Sequence, residues 1–93
     1  MGYMNKRQLL SENDLLAAIK DVEDKLIFRA KQKGLGTMAS NHEILGIIDD
    51  ELQEYRDEVH AKSKDEKKIE ELKDIAVAAI FGIASIKSGG TDW

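Results

Sequence analysis

His60-Ala61-Lys62-Ser63-Lys64-Asp65-Glu66-Lys67-Lys68 is the stretch on which the fold turns, because apolar residues recur at helical spacing on both sides of it and stop inside it. It contains neither Gly nor Pro, so one uninterrupted helix over 40–87, roughly 70 Å at a 1.5 Å rise, is the rival to a hairpin. Such a helix would leave its polar middle with nothing to pack. Ser63 and Glu66 carry the spacing of a capping box, so the reading is a helix-helix turn near 61–64.

The flanks supply the other elements. Ser11 reads as the N-cap of a first helix over about 11–33, with Glu12 and Asp14 favouring the positive end of its dipole and Gly34 and Gly36 ending it. Its stripe is Leu15, Ile19, Val22 and Leu26, widened by Leu16, Ile27 and Ala30. Residues 34–39 form a loop. Ser40 with Glu43 is a second capping-box signature, opening a helix over about 40–61 with Ile44, Ile48, Leu52, Tyr55 and Val59 as its core stripe.

A third helix, about 65–87, is charged at first and then apolar or small on every face over 75–86, which implies a helix surrounded by protein. Three helices cannot surround one of their own number, and Ala76, Ala79, Gly82 and Ser85 are small enough for close approach. The expectation is one all-α domain over 1–93, an antiparallel bundle of three main helices completed by oligomerisation, with a mobile tail at 88–93. The partner is expected to be a second copy or more, as a homodimer or homotetramer with this segment near the interface.

Composition agrees with helices: 93 residues, no Pro, 5% aromatic, and much Ala, Leu, Ile, Lys and Glu. A chain of this size buries only about 60 to 65% of its unfolded surface, which again favours assembly. The absence of Cys excludes a disulfide framework and a thiolate zinc site and suits a cytoplasmic protein. The apolar run over 75–86 is shorter than the ~20 residues a bilayer requires, no signal-peptide pattern opens the chain, and Lys6 stands where a myristoylation motif after Gly2 needs Ser or Thr. No membrane partner is expected.

Chemistry gathers in four acids. Glu51 with Glu54, and Glu71 with Asp74, are i,i+3 pairs, each placing two carboxylates on one side of a helix about a turn apart. On antiparallel neighbours the pairs face each other and offer a hard divalent cation, Mg2+ or Mn2+, an all-oxygen site. The formal charge of −4 equals the quartet, since the chain's remaining 14 acids match its 14 Lys and Arg. No basic face stands out for nucleic acid. The bland alternative is a solvated helix face with ordinary ion pairs.

Glu51-Leu52-Gln53-Glu54 followed after sixteen residues by Glu71-Leu72-Lys73-Asp74 resembles the E-x-x-E…E-x-x-D signature of the MazG-like all-α nucleoside triphosphate pyrophosphohydrolases. His42-Glu43 ahead of the first motif and the apolar run 75–80 after the second add to the likeness, which covers roughly 11–87. It implies Mg2+ held by Glu51, Glu54, Glu71 and Asp74, and hydrolysis of an NTP or dNTP to a nucleoside monophosphate and pyrophosphate. Glu54 is the candidate to orient or deprotonate the attacking water. Longer members carry a later Lys, Asn and Arg segment, so the resemblance implies either a pocket completed by another subunit or a reduced relative with weak or altered activity. The alternative function is a non-catalytic helical oligomerisation or interaction module.

Other polar residues read as scaffold. Glu58 is an exposed helix acid, Lys73 a surface lysine, and Lys62, Lys64, Lys67 and Lys68 a solvated turn. His42 belongs to a capping region, Tyr55 and Phe81 to the core, and Trp93 to the tail.

Overall fold

The computed structural model describes residues 7–91, and these contain three helices and no strand: α1 Glu12–Lys33, α2 Asn41–His60 and α3 Asp65–Lys87. The expectations for Gly2, Lys6 and Trp93 lie outside the described residues.

Local chemistry sets the boundaries. Ser11 and Asp14 close a full capping box, each side chain accepting the other's backbone N–H at 3.0 and 2.8 Å. Gly34, at φ +86°, ends α1 in a conformation that an L side chain resists, its N–H donating to the Ala30 carbonyl. Ser40 accepts the Glu43 N–H at 3.1 Å, but the Glu43 carboxylate turns back to the Ala39 N–H, so the box closes one residue early.

The turn after α2 departs from expectation. Ser63 does not cap α3; Lys64 holds that position without a side-chain bond. A Schellman turn ends α2 instead, with the Ser63 N–H on the Glu58 carbonyl and the Lys62 N–H on the Val59 carbonyl. Lys62 takes the left-handed position, φ +54°. The Ser63 hydroxyl donates to the Glu58 carboxylate, so Glu58 staples the turn rather than standing free.

Antiparallel pairing of α2 and α3 makes the body of the molecule, and α1 lies on α3. At Gly82 α2 and α3 come close, and a Cβ there would sit 2.9 Å from Ile44 Cγ2. Gly82 therefore packs within the chain, which corrects the expectation that it serves an interface between copies. At the end of α3, Gly89 at φ +78° and the Gly90 N–H on the Ser85 carbonyl make a second Schellman turn. The tail thus begins as a hydrogen-bonded turn.

The inward face of α2 is Ile44, Ile47, Ile48, Glu51, Tyr55 and Glu58, whereas Leu45, Leu52 and Val59, seven apart, face outward. That corrects the expected stripe. Glu51 and Glu58 occupy core positions in place of Leu52 and Val59. On α3 the inward face runs through Glu71, Asp74, Ala78, Gly82 and Ser85, leaving Ile69, Leu72, Ile80, Ile83 and Ile86 uncovered.

Among the described residues, Val77 and Ala78 alone form a buried apolar core, at 6% and 7% exposed. The chain exposes 7349 Å², against about 5,400 Å² for a folded monomer of this mass. No helix among the described residues is long and apolar enough to cross a membrane.

Candidate metal centre

Glu51 from α2 and Glu71 and Asp74 from α3 meet at the middle of the antiparallel pair, each offering a carboxylate oxygen within 4.8 Å of the other two. The i,i+3 spacing of Glu71 and Asp74 puts both on the inward face of α3, and the pairing brings Glu51 opposite them. All three are half-buried. Glu54, the fourth expected ligand, is exposed and lies outside this trio. Its charge still reaches the cluster.

The electrostatics follow from crowding. Burial pushes the Glu51 carboxyl above its ordinary value, and the charges of Glu54, Asp74 and Glu71 push it further, while Arg29 pulls it back. Glu71 is raised for the same reasons: burial first, then Glu54, Asp74 and Glu58, opposed by Lys25. Glu51 Oε2 and Glu71 Oε2 are each sealed from solvent without a hydrogen-bond partner. A buried acceptor in that state is costly, by about 1–3 kcal/mol or more when charged.

These two oxygens bear on whether a cation fits. Opposite ligands of Mg2+ lie about 4.2 Å apart, given bonds of about 2.1 Å. Adjacent ligands lie about 3.0 Å apart, and the three carboxylate oxygens, already within 4.8 Å of one another, come within that range by side-chain rotation; Mg2+ ordinarily keeps several waters and phosphate oxygens besides. The residues fit such an ion.

Three basic residues that sequence reasoning passed over, all on α1, complete the surroundings. Lys25 Nζ lies 2.8 Å from Asp74 and 2.8 Å from Glu70, and Arg29 Nη2 donates to Asp74 Oδ1 at 3.2 Å. Lys33 lines the adjoining cleft, about 270 Å³, which runs from Glu51 and Asp74 over Ile47 and Val77 to Phe81. Their i,i+4,i+8 spacing was visible in the sequence. Its relation to Asp74 required the α1–α3 packing.

Lys73 pairs with Glu70 at 2.7 Å instead of reaching the cluster, and hydrogen bonds from Lys25 and Lys73 hold Glu70 down at about 2. Lys68 pairs with Asp65 at 3.6 Å, while His42 lies exposed in the first turn of α2. The half-buried Phe81 lines the cleft, so it is both core and wall.

Comparison of the chain with protein-family models, curated proteins and solved structures finds no match in any of the three.

Proposed function

We propose that the chain is a Mg2+-dependent nucleotide pyrophosphohydrolase, cleaving an NTP or dNTP to a nucleoside monophosphate and pyrophosphate. The observation that carries this reading is the pair of sealed, unpartnered oxygens on Glu51 and Glu71 beside Asp74, at the mouth of a cleft with basic residues along one wall. Core positions are given to carboxylates there although Leu52 and Val59 were available one residue away. The MazG-like spacing of the four acids points the same way.

In this reading Glu51, Glu71 and Asp74 hold the ion, with Mn2+ an acceptable substitute. When bound, Mg2+ would offset the charge on the phosphate oxygens and make a water more acidic. Glu54, exposed at the edge of the trio, orients that water and takes its proton. The water oxygen bonds to the α-phosphorus as the bond from that phosphorus to the bridging oxygen breaks, and pyrophosphate leaves with the electron pair. Apolar residues along the cleft keep bulk water from the base.

The working form is a homodimer or homotetramer in the cytoplasm. About 2,000 Å² of surface beyond that expected of a monomer exceeds the ~800 Å² each partner contributes to a standard interface. Leu45, Leu52 and Val59 on α2 and Ile69, Leu72 and Ile83 on α3 are its large apolar part. The same surface favours the second reading, a non-catalytic helical interaction module, in which Lys25 and Arg29 neutralise Asp74 permanently.

Pyrophosphate release from a panel of NTPs and dNTPs with Mg2+ separates the two. The enzyme releases it from at least one nucleotide and loses the activity on Glu51→Gln; the module releases none.

A further inference from the structure

We propose that Arg29 and Lys33 form a clamp for a metal-bound polyphosphate, with Lys25 the standing counter-ion of Asp74; the proposal rests on the pyrophosphohydrolase reading for the identity of that polyphosphate as a nucleoside triphosphate. The three bases stand at i, i+4 and i+8 on one side of α1, and the structure gives each a different degree of engagement.

Lys25 is fixed. Its side chain is 15% exposed and bridges Asp74 and Glu70, both at 2.8 Å. Arg29 is 31% exposed and touches Asp74 through a single nitrogen at 3.2 Å. A guanidinium carries five N–H donors in a planar fork suited to phosphate oxygens, and Arg29 places one of them on a protein acceptor among the described residues. Lys33 makes no ion pair among the described residues and lines the same cleft.

Charge balance indicates the ligand. Glu51, Glu54, Glu71 and Asp74 against Lys25 and Arg29, with Glu70 balanced by Lys73, leave two net negative charges beside the cleft. A divalent cation would cancel them, and Lys33 would then leave the cleft positive. The loaded cleft would attract a multiply charged anion, and Ile47, Val77 and Phe81 in its lining suit an uncharged flat group. A polyphosphate ester of a nucleoside has both parts. With Asp74 engaged by an ion, the Arg29 fork would be free to serve phosphate oxygens.

Calorimetric titration of the full-length chain with Mn2+ alone, and with inorganic tripolyphosphate in the presence of Mn2+, tests the clamp without turnover. Arg29→Gln should bind Mn2+ as well as the parent or better, because a competing cation is gone, yet bind tripolyphosphate about tenfold or more weakly. Lys33→Gln, at an exposed residue whose loss leaves the fold intact, should weaken tripolyphosphate severalfold with Mn2+ unaltered. Arg29→Lys should recover part of the loss, and with a nucleotide substrate both Gln variants should raise KM more than they lower kcat.

Tripolyphosphate affinity within about twofold of the parent in both Gln variants, less than ~0.5 kcal/mol, assigns Arg29 to scaffolding and overturns the clamp. So does a parent chain that binds no tripolyphosphate with Mn2+. Binding that depends on Arg29 and Lys33 without pyrophosphate release from any nucleotide upholds the clamp while refuting the reaction.

Discussion

Glu51 and Glu71 confront each other across the α2–α3 interface, each with one carboxylate oxygen closed to water and bonded to nothing. Two like charges about 4 Å apart repel by about 4 kcal/mol at the effective dielectric of a partly buried pair. The metal-free pairing of α2 with α3 is therefore opposed at the point where the helices meet.

Stability should respond to pH and to divalent ions together. Glu51 and Glu71 titrate above 4.5 in the folded chain, so between 4.5 and their folded values the native state holds more protons than the unfolded one, and raising pH removes stability. Glu70 behaves oppositely: its contribution is present above 4.5 and lost as pH falls toward about 2. From these groups, the metal-free chain is most stable near pH 4.5 and weaker at neutral pH. Mg2+ or Mn2+ should raise Tm more at neutral pH than at 4.5, an ion at 100 times its Kd adding about 2.7 kcal/mol of stability. A melting curve indifferent to both ions at neutral pH contradicts the site.

Glu51→Gln and Glu71→Gln should each raise metal-free stability by on the order of 1 kcal/mol, because an amide removes the repulsion while keeping the shape. The same variants should lose the ion-dependent rise in Tm and at least about 100-fold in turnover. Thermal melts with and without Mn2+ read both effects; a variant less stable than the parent and still ion-responsive opposes this assignment.

Lys62→Gly should stabilise the chain by roughly 0.5–1 kcal/mol, since Lys62 sits in a left-handed conformation that costs an L residue about 1–2 kcal/mol and glycine little. Metal affinity should not move. Urea denaturation measures it, and an unchanged midpoint means the turn relaxes at no cost.

Ile83→Glu places a charge in the uncovered face of α3 and, if the proposed oligomer forms there, should lower its mass, seen by sedimentation equilibrium, together with its Tm. Gly82→Leu should act within the chain, forcing Ile44 away and destabilising by about 1–3 kcal/mol. A parent chain that sediments as a monomer at all concentrations overturns the assembly.

The helices and their ends were legible because Ser11, Ser40 and Gly34 announce them through side-chain acceptors or a positive φ. Ser63 misled, since the turn before α3 is a Schellman turn whose left-handed residue is a lysine, and only glycine normally marks that position. The convergence of Glu51, Glu71 and Asp74 was legible from spacing, but the place of Glu51 in the inward stripe was not. α2 carries two apolar stripes, and periodicity cannot tell which faces α3. The α1 bases share a face by spacing, but their relation to the acids was not legible because pairing Lys25 and Arg29 with Asp74 spans 45 or more positions of chain.

Ser85, 2% exposed, receives the Met38 N–H on its hydroxyl, while its carbonyl takes the Ser88 hydroxyl and the Gly90 N–H. One small polar residue thus latches both the α1–α2 connection and the C-terminal turn to the body. Amide hydrogens of Met38 and Gly90 should consequently exchange with solvent at a common rate, rising together when the latch opens. That link makes the rim of the cleft and the end of α3 a single cooperative unit, 47 positions apart in the chain.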